Sequence, residues 1–250
     1  MELLSDFQSI LVTILIFLVA VLYSSVGHAG ASGYLAVMGL VGISAAVMRP
    51  TALALNIIVA VITTYKYYSA GSLSWRLFLP LAITSIPFAF LGGRIVLPEV
   101  YYKPLVGLIL VFSAWMLIRQ ASNGNDYIEK KPSVLLLFIT GSILGFLSGL
   151  TGVGGGIFLS PLLIFLHWAP IKVISGVSAG FVLVNSIAAF LGVASLTNQF
   201  HNALPVWLIV VVLGGFIGAE YGSRRLGNNT IQRLLAIVLF IAGVKMILMM

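Results

Sequence analysis

Cysteine is absent from the chain and charge is scarce: 8% of its 250 residues are Asp, Glu, Lys or Arg, and six of those are acidic. Without a thiol there is no disulfide, no thiolate metal ligand and no cysteine nucleophile. Glu220 is the one acidic residue inside an apolar segment, so paired-carboxylate catalysis and a carboxylate metal site both lack their groups. Neither an H-E-x-x-H helix nor a Walker loop occurs, so ATP-driven transport would need a separate partner subunit. The expectation is therefore a non-enzyme with no cofactor and no metal site.

Apolar sequence fills the space that charge leaves. Hydrophobic residues make up 60% of the chain and the mean hydropathy is +1.15, outside the range of soluble domains. The chain reads as an all-α polytopic membrane protein whose solvent is the lipid bilayer. Its apolar segments cover residues 7–27, 31–48, 51–70, 77–97, 104–119, 133–151, 156–168, 173–196, 204–222 and 231–249. Most approach the roughly 20 residues a spanning helix needs, but 156–168 is short. The start carries Glu2 and Asp6 and no Lys or Arg before its apolar run, unlike a cleaved signal peptide, and reads as a retained first helix. The net charge of +7 is spread through loops, which suits membrane topology and not nucleic acid.

One plainly hydrophilic connection, Gln120 to Pro132, divides the chain near its midpoint. It separates an N-terminal transmembrane repeat (1–120) from a C-terminal one (133–250), with 121–132 as linker. Each half holds a glycine break, a helix containing an Asn (Asn56, Asn185) and a glycine-punctuated helix ending near Arg94 or Arg224. Ala89 pairs with Ala219 and Lys103 with Arg233 at a constant offset of 130. Five crossings per half, an odd number, would invert the second half relative to the first. Nine cations (Lys66, Arg76, Arg119, Lys130, Lys131, Lys172, Arg224, Arg225, Arg233) then share one side, against four (Arg49, Arg94, Lys103, Lys245) on the other. That bias places the linker in the cytoplasm. If each broken pair made one crossing, the count would be 6 against 7 and no orientation would stand out.

The breaks carry the functional signal. The second reads Gly149-Leu-Thr-Gly-Val-Gly-Gly-Gly-Ile-Phe-Leu-Ser-Pro161, and a looser copy runs from Ser24 through Gly27, His28 and Gly30 to Gly33. Irregular backbone at membrane depth survives only against protein or a wet cavity, and matching breaks in two halves point to a transporter's binding site. A helix that starts inside the membrane aims unpaired N–H groups and the positive end of its dipole at whatever fills the break. The candidate substrate-binding residues are Gly27, His28, Gly30, Ser32, Thr151, Gly152, Gly154, Gly155, Gly156 and Ile157, with Ser24, Ser25 and Ser160 as further hydroxyls. Asn56, Ser178 and Asn185 are weaker, pathway-lining candidates. Close helix packing is the competing account of the glycines; Gly141, Gly145 and Gly149 fit it, as do Gly214, Gly218 and Gly222.

His28 is the sole ionisable residue in either break; it could donate to an anion, carry a coupling proton or serve as a structural hydrogen-bonder. Lys172, His167, His201 and Arg49 fall at segment ends and read as solvated loop residues. Glu220 has Arg224 four residues later, a spacing that suits a helix-end ion pair, although an intramembrane acid also suits a proton path. Gly176-Val177-Ser178-Ala179-Gly180 matches G-x-S-x-G, a motif that needs a strand-turn-helix setting and partner His and acid groups; here it opens an apolar helix.

The second glycine motif, its weaker counterpart at Gly27 to Gly33 and the duplicated helices resemble the sulfite exporter TauE/SafE family over nearly the whole chain. The resemblance implies a multi-pass permease of a prokaryotic cytoplasmic membrane that moves small anions such as sulfite and sulfonates. The candidate partners are that small anion, the lipid bilayer and a coupling proton or sodium ion, with the resemblance leaving the coupling ion open. The expected mechanism is secondary transport by alternating access, with an anion channel and an intramembrane serine hydrolase as alternatives from other classes.

Overall fold

The computed structural model describes residues 2–122, 132–197 and 199–224, together with 240, 243–244 and 247–248. The predicted final segment, 231–249, therefore lies mostly outside the described residues, as does most of the linker. Among the described residues the chain is entirely helical: α1 (Glu2–Ser24), α2 (Ala31–Leu40), α3 (Ala45–Ser69), α4 (Trp75–Arg94), α5 (Glu99–Ser122), α6 (Val134–Thr151), α7 (Gly156–Phe165), α8 (Ile171–Ala194) and α9 (Leu204–Arg224). Of these, α3, α4, α6, α8 and α9 are long and apolar enough to span a bilayer. The fold is that of a polytopic membrane protein.

Two helices are half-length. α2 and α7 have 10 residues each, a rise of about 15 Å, half of a roughly 30 Å hydrocarbon core. The segment expected over 31–48 is divided. Val41, Gly42 and Ile43 turn their N–H groups back onto the carbonyls of Val37, Gly39 and Met38, and Gly42 adopts a φ of 79°, the usual left-handed exit from a helix. Ala45 to Met48 therefore begin α3, which carries Pro50 as its sixth residue and so lacks the bond that an N–H there would make to the Ala46 carbonyl.

Small residues set how the long helices pack. Gly141, Gly145 and Gly149 of α6 lie against Leu81, Ser85 and Ala89 of α4, and Gly214, Gly218 and Gly222 of α9 against Phe17, Val21 and Ser25 of α1. Both stripes are helix-contact seams that let backbones approach, as their spacing predicts. The order of contacts makes α4 parallel to α6 and α1 parallel to α9. Gly176 meets Ser72 and Gly192 meets Phe90, so α8 also runs with α4. Lys66 near the end of α3 pairs with Glu220 near the end of α9, so α3 runs with α1 and α9. Arg49, at the start of α3, reaches carbonyls at the end of α4, so the two sets are antiparallel. One end of the bundle is thus marked by Arg49, the other by Lys66. Large side chains such as Leu79, Ile83, Ile209 and Leu213 remain exposed on the flanks, where lipid replaces water.

Candidate functional site

Each break is a reversal followed by a half-helix. After α1, Val26, Gly27 and His28 bond back to carbonyls of Tyr23 and Ser24, and Gly30 (φ 104°) caps α2. After α6, Gly152 (φ 77°), Gly154 (φ 81°) and Gly155 (φ 82°) carry the chain into α7. Three left-handed residues in four explain the glycine run, because a side chain there is strained. α2 leads from this level toward the Arg49 end, with Val41 and Ile43 beside Gln8 and Val12 of α1. α7 leads toward the Lys66 end, with Trp168 and Ala169 beside Arg76. The two half-helices therefore start at a common level and diverge.

Asn56 marks that level. Its Oδ1 accepts the Ala31 N–H at 2.9 Å, its Nδ2 donates to Ser186 Oγ at 2.7 Å, and a Cβ on Gly154 would lie 2.5 Å from Nδ2. Both breaks and α8 thus converge on one amide. From the other side, His28 Nε2 sits 2.9 Å from the Gly156 carbonyl and 2.9 Å from Ser160 Oγ, and Ser160 Oγ is 2.7 Å from Ser178 Oγ. Among the described residues no acceptor takes the N–H of Gly154, Gly155, Gly156 or Ile157. Ser148 Oγ and Asn185 Oδ1, both fully buried, also lack partners, and Ser148 Cβ is 3.3 Å from where a Gly155 Cβ would stand.

The expected site residues divide into those that meet here and those used elsewhere. His28, Gly30, Gly154, Gly155, Gly156, Ile157, Asn56 and Ser178 gather around the two half-helix starts. Gly27 (φ 83°) is pressed against Ser175 of α8, where a Cβ would lie 2.5 Å from a carbonyl oxygen. Ser32 Oγ donates to Tyr23 Oη at 3.0 Å. Thr151 Oγ1 donates to Leu147 O at 2.7 Å, and the Thr151 carbonyl accepts from Tyr102 Oη at 2.8 Å. Asn185 Nδ2 donates to Phe181 O at 2.8 Å. Ser186 and Ser148 are not among the candidate site residues above; single serines in apolar helices carry no pattern that separates them from packing residues.

Arg49 corrects an expectation. It reads as a solvated loop residue at a segment end, yet it is 6% exposed. Its guanidinium donates to the carbonyls of Ile95 (2.7 Å), Gly92 (2.8 Å) and Gly93 (2.9 Å), and to that of Gly149. Those are the carbonyl ends of α4 and α6, where a cation offsets the helix dipoles. The Arg-Pro pair looked like a loop because proline usually ends a helix, whereas here it lies in the second turn of one. His167 and Lys172 are exposed at helix ends, as expected, but His201 is half-buried, with its ring stacked 4.4 Å from that of Trp207. Glu220 forms its ion pair with Lys66; the side chain of Arg224 lies outside the described residues.

The serine-hydrolase geometry does not assemble. Ser178 faces Ser160, and the histidine nitrogen beside Ser160 also faces the Gly156 carbonyl, which only accepts. Nε2 therefore carries a proton and has no lone pair with which to take one from serine.

The chain matches the family described as "Sulfite exporter TauE/SafE" over residues 12–246. It is 42% identical over 97% of its length, and 99% of the relative's, to the "Probable membrane transporter protein y4hK" of Sinorhizobium fredii. A "Probable membrane transporter protein" of Methanocaldococcus jannaschii is 25% identical over 79% of this chain and 78% of its own. A third, YunE of Bacillus subtilis, is 29% identical over 42% of this chain and 38% of its own. No solved structure matches the chain.

Proposed function

The chain belongs to the sulfite exporter TauE/SafE family of membrane transporters, and from that premise we propose that it is a secondary transporter of a small anion, with sulfite, a sulfonate or a related organosulfur anion as substrate. The observation that carries this reading is the meeting of two half-helix N-termini at one buried level, where no acceptor among the described residues takes the N–H groups of Gly154 to Ile157. Two positive dipole ends and neutral donors hold an anion without a fixed charge, which also lets it leave. Ser160, Ser178, Asn56 and the His28 N–H complete a neutral donor set.

The two repeats, 1–120 and 133–250 joined by 121–132, are inverted in this proposal. α1 and α6 run oppositely, as do α2 and α7, α3 and α8, and α4 and α9, and the topology resembles other transporters in which half-helices meet between inverted repeats. Lys66, Arg76 and Lys172 mark the cytoplasmic end, where basic residues accumulate, in the cytoplasmic membrane of a prokaryote. In the conformation described, side chains fill the space between the breaks: a Cβ on Gly156 would lie 2.7 Å from the His28 ring. Binding then requires the halves to part, which favours alternating access, driven by a proton or sodium gradient, over a channel.

Uptake of labelled sulfite, ethanesulfonate and acetate into liposomes holding the purified protein, with and without imposed proton and sodium gradients, tests this. Saturable sulfite or ethanesulfonate flux that responds to one gradient and is lost in a folded Gly155→Leu variant is the expected result. Flux linear in concentration, or a folded Gly155→Leu variant equal to the parent, would remove alternating access at this site.

A further inference from the structure

At the Arg49 end, α3, α5, the turn between α4 and α5 and the residues after α8 enclose a cavity of about 320 Å³. At roughly 30 Å³ per water in the liquid, it has room for a small oxyanion with part of its hydration shell. Arg49 is the one cation among its lining residues, and Glu99 the one acid. Glu99 is bound to Lys103. Among the described residues no carboxylate meets the Arg49 guanidinium, which donates to four backbone carbonyls. Its Nε–H is buried without an acceptor among the described residues. Its stem lies against the second break, since a Cβ on Gly152 would stand 2.9 Å from Arg49 Cγ.

These features do not suit a purely structural cap. The two helix C-termini supply about half a charge each and so offset much of the guanidinium's charge, but they leave its Nε–H as an unused donor among the described residues. A cation with low-dielectric walls focuses its field into the adjoining cavity and raises the local concentration of the opposite ion. Its position between the cavity and Gly152 places it on the way to the half-helix starts.

We propose that this cavity is an anion-recruiting vestibule in which Arg49 attracts a small oxyanion of the sulfonate class before it reaches the glycine breaks. The inference rests on the anion reading given above, and its test reads the vestibule without requiring transport.

The absence of cysteine makes the test direct. Ala46 lines the cavity and Asn202 is exposed outside it. Ala46→Cys and Asn202→Cys, each alone in detergent-solubilised protein, are reacted with a sulfonate-bearing methanethiosulfonate and with its trimethylammonium counterpart. The sulfonate-to-ammonium rate ratio should be at least about tenfold higher at the cavity position, within the range that charged clefts produce. It should fall to the Asn202→Cys value when Arg49→Gln is added. Because Arg49→Gln can unfold the helix ends it caps, a second measurement keeps Arg49 in place. Ethanesulfonate should slow reaction of Ala46→Cys with neutral methyl methanethiosulfonate, and choline should not. Equal ratios at the two positions, an unchanged ratio in a folded Arg49→Gln protein, or no protection by ethanesulfonate would overturn the proposal. An elevated ratio in a protein that carries none of the tested anions would retain the vestibule and reject the substrate reading instead.

Discussion

His28 and Gly156 are 128 residues apart, yet the histidine Nε2 donates to the glycine carbonyl across 2.9 Å, tying the entry of one half-helix to the first residue of the other. Because Ser160 Oγ shares the same nitrogen, deleting the ring leaves two buried oxygens short of a partner. His28→Leu should therefore lower stability by about 1–3 kcal/mol, read as a drop in melting temperature in detergent. His28→Gln, whose amide can reach the same carbonyl, should recover most of that loss. Equal melting of the two variants would show that the ring acts through packing and not through its N–H.

Gly154 and Gly42 separate backbone strain from site geometry. Both are left-handed, at φ 81° and 79°, so alanine costs about 1–2 kcal/mol at either. A Cβ at Gly42 meets nothing within 4 Å, whereas at Gly154 it stands 2.5 Å from Asn56 Nδ2. Gly42→Ala should thus melt slightly early and transport normally. Gly154→Ala should displace the amide that caps α2 and lose most flux of whatever anion the parent carries. Similar flux from the two variants would detach Asn56 from function.

Much of this architecture was legible in the sequence, and the reasons differ by element. Long apolar runs and their small-residue stripes are written in composition and spacing, so α4, α6 and α9 and their seams fall where expected. The glycine break after α6 was legible because three consecutive glycines oppose a helix. The split of 31–48 was not, since separated glycines such as its Gly33, Gly39 and Gly42 are common in membrane helices. Arg49 was hidden for a related reason: its burial depends on the carbonyl ends of α4 and α6, brought to it from 43 to 100 residues away. Ser148 and Ser186 gain meaning solely from what the fold places beside them.

Glu220 invites a proton-path role, but its partner argues for a structural one. Lys66 Nζ bonds its Oε2 and also lies 4.1 Å from the Phe216 ring centroid. The two side chains are 20% and 32% exposed, and partly solvated pairs contribute at most about 1 kcal/mol. Glu220→Gln should accordingly shift stability by less than that and leave the pH dependence of transport unchanged. A flattened pH profile in the Glu220→Gln liposomes would restore the acid to the proton path.

His201, in the connection before α9, should make the protein less stable in mild acid. Burial beside Trp207 lowers its pKa from the usual 6.5, and Nδ1 accepts the Ala203 N–H at 3.2 Å, a bond that protonation would remove. The unfolded chain takes up this proton near pH 6.5 and the folded one at a lower pH, so the unfolded state binds more protons between the two values. The contribution is fully present above pH 6.5, where both states are neutral, and is lost as pH falls through the folded value. Melting temperature in detergent should therefore decline between pH 7 and pH 5, and His201→Asn, which does not titrate there, should remove part of that slope. A parent and variant whose melting temperatures fall in parallel would assign the acid sensitivity to another group.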